Sequence, residues 1–297
     1  MDISHDPPRR PKSGPESSGG LPAPSQLHSW AIAAAESVGA ELSSAFRTGV
    51  RAETKTSSHD LVTAFDTATE AALVHRLTQD VPGSRVLGEE SSQPADRAQA
   101  APSGVQWIVD PIDGTSNFAH GFALFSISIA AAIDGEVVAG VVHDPVNQQT
   151  FSADDDGAYL STPATDHARL PIVAAPRRSG PALNLITSFP AAEVLASHRQ
   201  AALDIYADLV QSHSAVRRVI SGALELCHAA AGWADVVLGV DTKPWDIAAA
   251  MLILRRAGGR FDTVGGADQH ARHYLGLAPG ISAPAAADGL RRIAALG

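Results

Sequence analysis

Along most of the 297-residue chain, apolar positions recur either at helical spacing or in short runs typical of β-strands. The spacing that begins at Ser29 predicts one helix, which ends near Gly49. Two later runs, Leu124 to Ile133 and Glu136 to His143, are rich in β-forming residues and are joined by Asp134-Gly135. An Asp-Gly pair between two such runs is typical of a type I′ hairpin. The pattern therefore predicts at least one antiparallel strand pair.

A second helix is predicted to begin at Thr67 and to reach about Asp80. Thr67 and Glu70 are three residues apart, which is the spacing of a capping box. On this prediction Asp66 lies exposed just outside the helix. The short run Arg85 to Gly88 then predicts a strand.

The rest of the chain predicts strands and helices in alternation. A strand near residues 149–153 would extend the antiparallel pair into a meander. The other predicted strands are at 183–188, 216–219, 235–238 and about 280–284, and the other predicted helices are at 191–210, 224–231, 247–257 and 288–295. This order predicts an α/β fold. We place a domain boundary near residues 165–182, between domains at 28–175 and 176–297.

Composition narrows the functional classes. Hydrophobic residues make up 45% of the chain, which is enough to bury one large core or two medium ones. No apolar run approaches the roughly 20 residues that cross a bilayer, and no secretory signal is visible, so we expect a cytoplasmic protein without a membrane partner. The formal net charge of −10 argues against nucleic acid as a partner. Residues 1–27 are rich in Pro, Gly, Ser and Arg and are expected to form a disordered tail.

The most informative segment is Trp107–Phe118, where an apolar stretch stops at Asp110 and Asp113. This pattern predicts a buried strand that delivers two carboxylates to its carboxyl end, where open α/β sheets bind their ligands. Buried carboxylates need a compensating positive charge. The segment therefore predicts a bound cation.

The residues that follow the two aspartates suit a phosphate group. Gly114 allows the backbone to approach a ligand closely. The N–H groups of Thr115 and Ser116 would begin a short helical segment, and free N–H groups at a helix start bind phosphate well. A metal ion beside a phosphate is therefore the first hypothesis.

Two further acids, like Asp110 and Asp113, lie at an end of a predicted strand or helix. Glu89 follows the predicted strand at 85–88, and Asp246 follows Pro244 at the start of an apolar helix. Neither His nor Cys occurs in these motifs, which favours Mg²⁺ or Mn²⁺ over zinc. Several carboxylates around adjacent ions form the two-metal arrangement that cleaves phosphate esters.

Taken together and in order, these motifs resemble those of the inositol monophosphatase family, within a wider group of Mg²⁺-dependent, Li⁺-sensitive phosphatases. The matching segments are Gly88-Glu89-Glu90-Ser91, Trp107–Phe118, Lys243–Ala249 with Ala257-Gly258-Gly259, Asp60–Thr63 before Asp66, and Thr187–Pro190. The resemblance spans about Ser29 to Asp262. It implies a layered αβαβα sandwich, an N-terminal α+β domain that holds metal and phosphate, a C-terminal α/β domain that completes the site, and a homodimer.

The resemblance also implies a role for each matching residue. The implied ligands of two or three Mg²⁺ ions are Glu89, Asp110, the Ile112 carbonyl, Asp113 and Asp246. The implied catalytic residues are Glu89, Thr115 and Asp66, which orient and activate a water molecule, and Lys55, which lies at a loop position associated with metal and phosphate binding. The implied substrate-binding residues are Gly114, Thr115, Ser116, Ser221, Gly222 and Ala223, and Asp241 is a candidate for the same role.

The chain departs from the family pattern on the substrate side. Gly239 stands where many members carry a glutamate that holds substrate hydroxyls, and Asp241 is a neighbouring acid that could replace it. Ile220 replaces a frequent glycine, and Gly222 replaces a frequent alanine. The hydrolytic machinery is thus expected to be intact, whereas the wall that recognises the polyol is altered.

The implied function is a Mg²⁺-dependent phosphomonoesterase that acts on a small polyol or sugar phosphate, such as inositol 1-phosphate, through a metal-activated water. Histidinol phosphate, fructose 1,6-bisphosphate and 3′-phosphoadenosine 5′-phosphate are alternative substrates, because related enzymes use them and short motifs separate these enzymes poorly. A regulatory family member that binds metal without turnover is the alternative from a different class.

Overall fold

A large seven-stranded sheet forms the first half of the protein. The computed structural model describes residues 20–49, 52–54, 61–92, 103–172 and 178–296. The strands of the large sheet are β3 Arg85–Gly88, β4 Val105–Asp113, β5 Ser126–Ile133, β6 Glu136–Asp144, β7 Gln149–Ala153, β8 Ala158–Thr162 and β9 Thr165–Arg169, in that spatial order. β3 and β4 are parallel, and every later pair is antiparallel. Before this sheet, β1 Ala52–Thr54 and β2 Leu61–Thr63 form a separate antiparallel pair.

The predicted hairpin is confirmed at the turn between β5 and β6. Asp134 and Gly135 have φ values of 50° and 87°, and these two positive values define a type I′ turn. Ile133 is paired with Glu136 across the turn. The meander strand predicted near residues 149–153 is also confirmed, as β7.

A smaller, five-stranded sheet forms the second half. Its strands are β10 Asn184–Thr187, β11 Ala215–Arg217, β12 Val236–Val240, β13 Arg260–Val264 and β14 His273–Leu277, in the order β11-β10-β12-β14-β13. β10 runs parallel to β11 and β12, whereas β14 runs antiparallel to β12 and β13.

The strand predicted at residues 280–284 is wrong, and β13 and β14 were not predicted. Gly280 has a φ of 76°, and Pro284 begins a helix, so this stretch is a turn that leads into a helix. β14 contains His273 and Gly276, which obscure its apolar character in the sequence, yet all five of its residues are buried. Tertiary packing therefore decides this strand.

Helices cover both sheets and separate them. They are α1 Pro24–Ala45, α2 Ala64–Asp80, α3 Thr115–His120, α4 Ala192–Ser212, α5 Gly222–Ala231, α6 Pro244–Arg256 and α7 Pro284–Ala294. α1 and α2 pack on one face of the large sheet, α5 and α6 lie between the two sheets, and α4 and α7 pack on the outer face of the small sheet. The layers follow one another as α, β, α, β, α, which confirms the expected mixed α/β sandwich.

The first helix begins earlier than predicted. α1 begins at Pro24 rather than Ser29, because proline suits the first helical position and Leu27 and His28 are buried against the sheet. Most of the predicted tail, residues 1–19, lies outside the described residues.

The start of the second helix was also predicted wrongly. α2 begins at Ala64, and Thr63 rather than Thr67 is its N-cap: the Thr63 hydroxyl accepts a hydrogen bond from the Phe65 N–H at 3.1 Å. Asp66 completes the capping box by accepting the Thr63 N–H at 2.7 Å. Asp66 is therefore fully buried in the first turn of the helix, not exposed outside it.

The two sheets lie on either side of the predicted domain boundary. Residues 173–177, within that boundary, lie outside the described residues. One hydrophobic cluster joins the sheets through buried residues of α5 and α6, such as Leu226 and Ile253. The division into domains at 28–175 and 176–297 thus stays a proposal. No helix in the part of the chain that the structure describes is long and apolar enough to cross a membrane.

Candidate active site

A cavity of about 420 Å³ lies where the carboxyl ends of β3 and β4 meet residues of the small sheet. The predicted site residues that line it are Glu89, Asp110, Ile112, Asp113, Gly114, Thr115, Ser116, Ser221, Gly222, Asp241 and Asp246. Asp66 and Ala223 lie behind this lining and contact it through hydrogen bonds. Lys55 lies outside the described residues. Residues far apart in the sequence thus converge on one cavity.

The end of β4 brings two aspartates to this cavity. Asp110 and Asp113 pair with Ser128 and Ser126 of β5, and the register shifts between them because β4 is irregular at this point. Asp110 accepts a hydrogen bond from the Ile112 N–H at 3.0 Å, across Pro111. Both carboxyl groups are buried.

Asp113 is held in place by the start of α5. Its carboxylate accepts the Ser221 hydroxyl at 2.5 Å, the Gly222 N–H at 3.1 Å and the Ala223 N–H at 2.9 Å. These three residues were predicted to contact substrate, and in the structure their polar groups are directed at Asp113. They connect β4 of the large sheet to the N-terminus of α5, which lies between β11 and β12 of the small sheet in the chain.

Asp246 is placed by the first turn of α6. Pro244 occupies the first turn, and the Asp246 carboxylate accepts the Lys243 N–H at 2.7 Å. Burial of the carboxyl group, with a contribution from the charges of Asp113 and Glu89, raises the pKa of Asp246 to about 7 although the Lys243 hydrogen bond opposes the shift.

The acids of the cavity repel one another. Burial raises the pKa of Asp110 well above its ordinary value, and the charges of Glu89, Asp113 and Asp246 add to this effect. Burial likewise raises the pKa of Asp113 to about 6, although its hydrogen bonds oppose the shift.

A hard divalent cation fits this donor set. Among the residues that the structure describes, no group of three or more Asp, Glu, His or Cys side chains is already close enough together to hold a metal ion. The four acids nevertheless share one cavity, all offer oxygen ligands, and together carry an unfavourable density of negative charge that a divalent cation would offset.

The raised pKa of Asp246 predicts a pH dependence for the stability of the metal-free protein. Because the pKa is raised from 3.8 to about 7, the folded state retains a proton that the unfolded chain loses at lower pH. The stabilising contribution is complete below 3.8 and is lost as the pH rises through 7. As the pH rises from 3.8 to about 7, the free energy of unfolding should therefore fall more in the wild type than in the Asp246→Asn variant. Urea denaturation with a chelator present measures both. Parallel profiles for the two proteins would contradict the assignment.

The buried Asp66 and the partly buried Thr115 form a hydrogen-bonded pair beside the acids. The Thr115 hydroxyl lies 2.8 Å from Asp66 Oδ1 and 3.0 Å from the Ile112 carbonyl. The other Asp66 oxygen accepts both the N–H and the hydroxyl of Thr63, at 2.7 and 2.6 Å. Since Asp66 Oδ1 and the Ile112 carbonyl both accept hydrogen bonds, the Thr115 proton is directed toward them and the lone pairs of the Thr115 oxygen stay available.

Gly114 is required by the backbone at the start of α3. Its φ is 97°, and a Cβ at this position would lie 3.0 Å from the carbonyl oxygens of Ile220 and Leu124. The Asn117 amide then joins the same two segments by donating to the Leu124 and Val219 carbonyls at 2.6 and 2.7 Å. The short helix is therefore fixed against a loop from the second half of the chain.

Sequence reasoning missed two buried residues of the cavity. Glu225 belongs to an apolar helical run, and an acid on such a run was the available signal; burial, together with the charge of Asp113, raises its pKa to about 8. One of its oxygens accepts the Ile220 N–H at 3.1 Å. Tyr274 lies in β14, a strand that the sequence pattern did not predict. Three further lining residues, Leu238, Val240 and Thr242, carried no signal of their own, whereas Ser188 lies in the matching segment Thr187–Pro190 but was given no role.

Asp241, which was considered as a substitute for the missing glutamate, is engaged at the rim of the cavity. Its carboxylate accepts the Arg272 Nε–H at 2.6 Å, and its backbone has a positive φ of 55°. This ion pair is about half exposed to solvent.

Comparison with known proteins identifies relatives of this chain. The sequence profile of the inositol monophosphatase family matches residues 23–295. An inositol-1-monophosphatase of Mycobacterium leprae is 36% identical over 254 residues, which is 84% of each chain. A protein of Pasteurella multocida named Nus factor SuhB is 34% identical over 228 residues, 76% of this chain and 80% of that protein.

Solved structures share the fold. The structure of Mycobacterium tuberculosis SuhB matches with a TM-score of 0.68 and 29% identity, covering 93% of this chain and 99% of that one. Family members are generally metal-dependent phosphatases of small phosphorylated substrates. On the breadth of the profile match and the identity to these relatives, the chain belongs to the inositol monophosphatase family.

Proposed function

We propose that this phosphatase is a Mg²⁺-dependent phosphomonoesterase that hydrolyses a small polyol or sugar phosphate such as inositol 1-phosphate. The observation that supports the proposal most strongly is the convergence of Glu89, Asp110, Asp113 and Asp246 on the cavity that Thr115 also lines. Four acids and a polarised hydroxyl in one cavity suit metal-assisted attack of water on a phosphate ester.

The residues that would hold Mg²⁺ are the four acids and the Ile112 carbonyl. When bound, Mg²⁺ would neutralise phosphate oxygens and make water a better nucleophile at neutral pH. Asp113 is positioned for this role by Ser221, Gly222 and Ala223, and Asp246 is positioned by the Lys243 N–H. The N–H groups of Gly114 and Thr115 would hold phosphate oxygens at the start of α3.

Asp66 and Thr115 would orient the attacking water. Because the Thr115 hydroxyl donates toward Asp66 and the Ile112 carbonyl, its oxygen can accept a hydrogen bond from the attacking water and so direct a lone pair of that water toward phosphorus. Glu89, at the end of β3, would share this role. Lys55 is included in the proposal on the family resemblance alone.

Replacing Thr115 with valine should lower kcat by about 10²-fold and change KM much less, because the water loses its acceptor while substrate contacts remain. Steady-state phosphate release at saturating Mg²⁺ measures the effect. Thr78→Val is the matched control, since the Thr78 hydroxyl donates to the Val74 carbonyl on α2, outside the cavity. Equal loss in both variants would rule out the proposed role of Thr115.

The substrate is tested by phosphate release with and without Mg²⁺ on inositol 1-phosphate, fructose 1,6-bisphosphate, histidinol phosphate and 3′-phosphoadenosine 5′-phosphate. We expect Mg²⁺-dependent turnover that selects one of them. If turnover without Mg²⁺ equalled turnover with it, the metal-dependent mechanism would be refuted. Inhibition by Li⁺ and assembly into a homodimer, which the family resemblance implies, belong to the same proposal.

A regulatory role is the second candidate function, favoured by the name of the Pasteurella multocida relative, Nus factor SuhB. In that case the chain would keep the fold and bind metal without turnover. Mg²⁺ binding without hydrolysis of any ester in the panel would favour this role over catalysis.

A further inference from the structure

Gly239 and Tyr274 face each other in the wall of the cavity. They are direct partners in the antiparallel pairing of β12 with β14. A Cβ on Gly239 would overlap the Tyr274 ring at Cε1 and Cζ. A side chain at 239 and this tyrosine therefore cannot occupy the site together, and the tyrosine ring fills the space that a side chain would take.

The ring of Tyr274 is held rigidly. It stacks on Phe261 with ring centroids 4.8 Å apart and an interplanar angle of 22°. Only 1% of the residue is exposed. A buried, stacked ring loses little further freedom on binding, so its hydroxyl is a preorganised contact.

The hydroxyl of Tyr274 has no hydrogen-bond partner among the residues that the structure describes, although buried tyrosines usually have one. The side chain lines the cavity, and its hydroxyl is near Gly222, where an added Cβ would lie 3.9 Å away. Burial, followed by the charges of Glu225, Asp113 and Asp246, raises the pKa of Tyr274 well above its ordinary value. The group therefore stays a neutral O–H donor that points into the cavity.

The rest of this wall is mixed in polarity. Ile220, Leu238 and Val240 supply its apolar part, and polar residues such as Ser188 and Thr242 also line it. The wall is formed by the small sheet and by the loop before α5, whose Ile220 carbonyl lies against Gly114 at the start of α3, where the phosphate is proposed to bind. Tyr274 belongs to β14 of the small sheet and not to α3, so a substrate whose phosphate binds at α3 would extend its alcohol portion along this wall toward Tyr274.

We propose that Tyr274 is a specificity-determining residue whose hydroxyl donates a hydrogen bond to an oxygen on the alcohol portion of the phosphate ester. Gly239 is required because any side chain there would displace the ring. The substrate class is an ester whose alcohol carries at least one hydroxyl, ether or carbonyl oxygen within reach of the Tyr274 hydroxyl. The inference rests on the proposed function, since it takes the phosphate to bind at the acids.

The test compares Tyr274→Phe with the wild type on two esters that share a six-membered ring. Inositol 1-phosphate carries ring hydroxyls, whereas cyclohexyl phosphate carries none. Calorimetry with Ca²⁺ in place of Mg²⁺ gives Kd for both esters, and Mg²⁺ assays give kcat and KM. We expect the preference for inositol 1-phosphate over cyclohexyl phosphate to fall about five- to tenfold in both Kd and KM, the size of one hydrogen bond to a neutral group. The matched control is Tyr206→Phe, because Tyr206 packs on the outer face of the small sheet.

The outcomes separate the inference from the proposed function. An unchanged preference in Tyr274→Phe would overturn the inference, as would an equal loss for both esters, which would place the hydroxyl on the phosphate. The wild type could bind both esters and release no phosphate, with a preference that falls in Tyr274→Phe. This result would support the inference and overturn the proposed function. A wild type that binds neither ester would overturn both.

Discussion

Replacing Asp110 with asparagine is expected to lower Mg²⁺-dependent phosphate release by about 10³-fold or more, equivalent to about 4 kcal/mol of transition-state stabilisation. The amide keeps the shape of the side chain but loses the negative charge that a hard cation requires. Because burial and neighbouring acids already disfavour the charged form of Asp110, the metal-free variant should be at least as stable as the wild type.

The measurement is phosphate release across a Mg²⁺ titration, with circular dichroism to verify folding. Asp144→Asn is the matched control: Asp144 is also buried, but its carboxylate accepts the Val146 and Asn147 N–H groups in a turn outside the cavity. Full activity in the Asp110 variant, or equal loss in the control, would show that the metal assignment is wrong.

Replacing Asp113 with alanine should have the largest effect on stability, a loss of about 3–5 kcal/mol in the free energy of unfolding without metal. The substitution leaves the Ser221 hydroxyl and the N–H groups of Gly222 and Ala223 without their acceptor, and each unsatisfied buried donor costs roughly 1–3 kcal/mol. Relief of charge repulsion offsets part of this loss.

Urea denaturation with a chelator present measures the difference. Asp110→Ala is the comparison, because Asp110 accepts only the Ile112 N–H among the hydrogen bonds described, so its loss should be much smaller. If the two variants were equally stable, the role of Asp113 in connecting β4 to α5 would be refuted.

Local patterns predicted the elements whose signals are contained within a few residues. The apolar run before Asp110, the hairpin at Asp134-Gly135 and the strand before Glu89 all appear where the sequence placed them. A buried strand and a two-residue turn depend mainly on side-chain polarity and on allowed φ values, which are local properties.

Competing local signals caused the error at the start of α2. Thr63 and Thr67 are each followed by an acid three residues later, so the sequence offers two capping boxes for one helix. The choice of Thr63 buries Asp66 next to Thr115, and that contact joins residues 49 positions apart. No local pattern contains this information.

The sequence by itself determined the chemistry of the site: oxygen donors at strand and helix ends, a glycine before two hydroxyl residues, and the family to which the chain belongs. Only the tertiary structure decided that Ser221, Gly222 and Ala223 hold Asp113, and that Tyr274 fills the space beside Gly239. The physical reason is that donor type is a property of each residue, whereas the direction of a hydrogen bond and the filling of a space depend on which distant segments the sheets bring together.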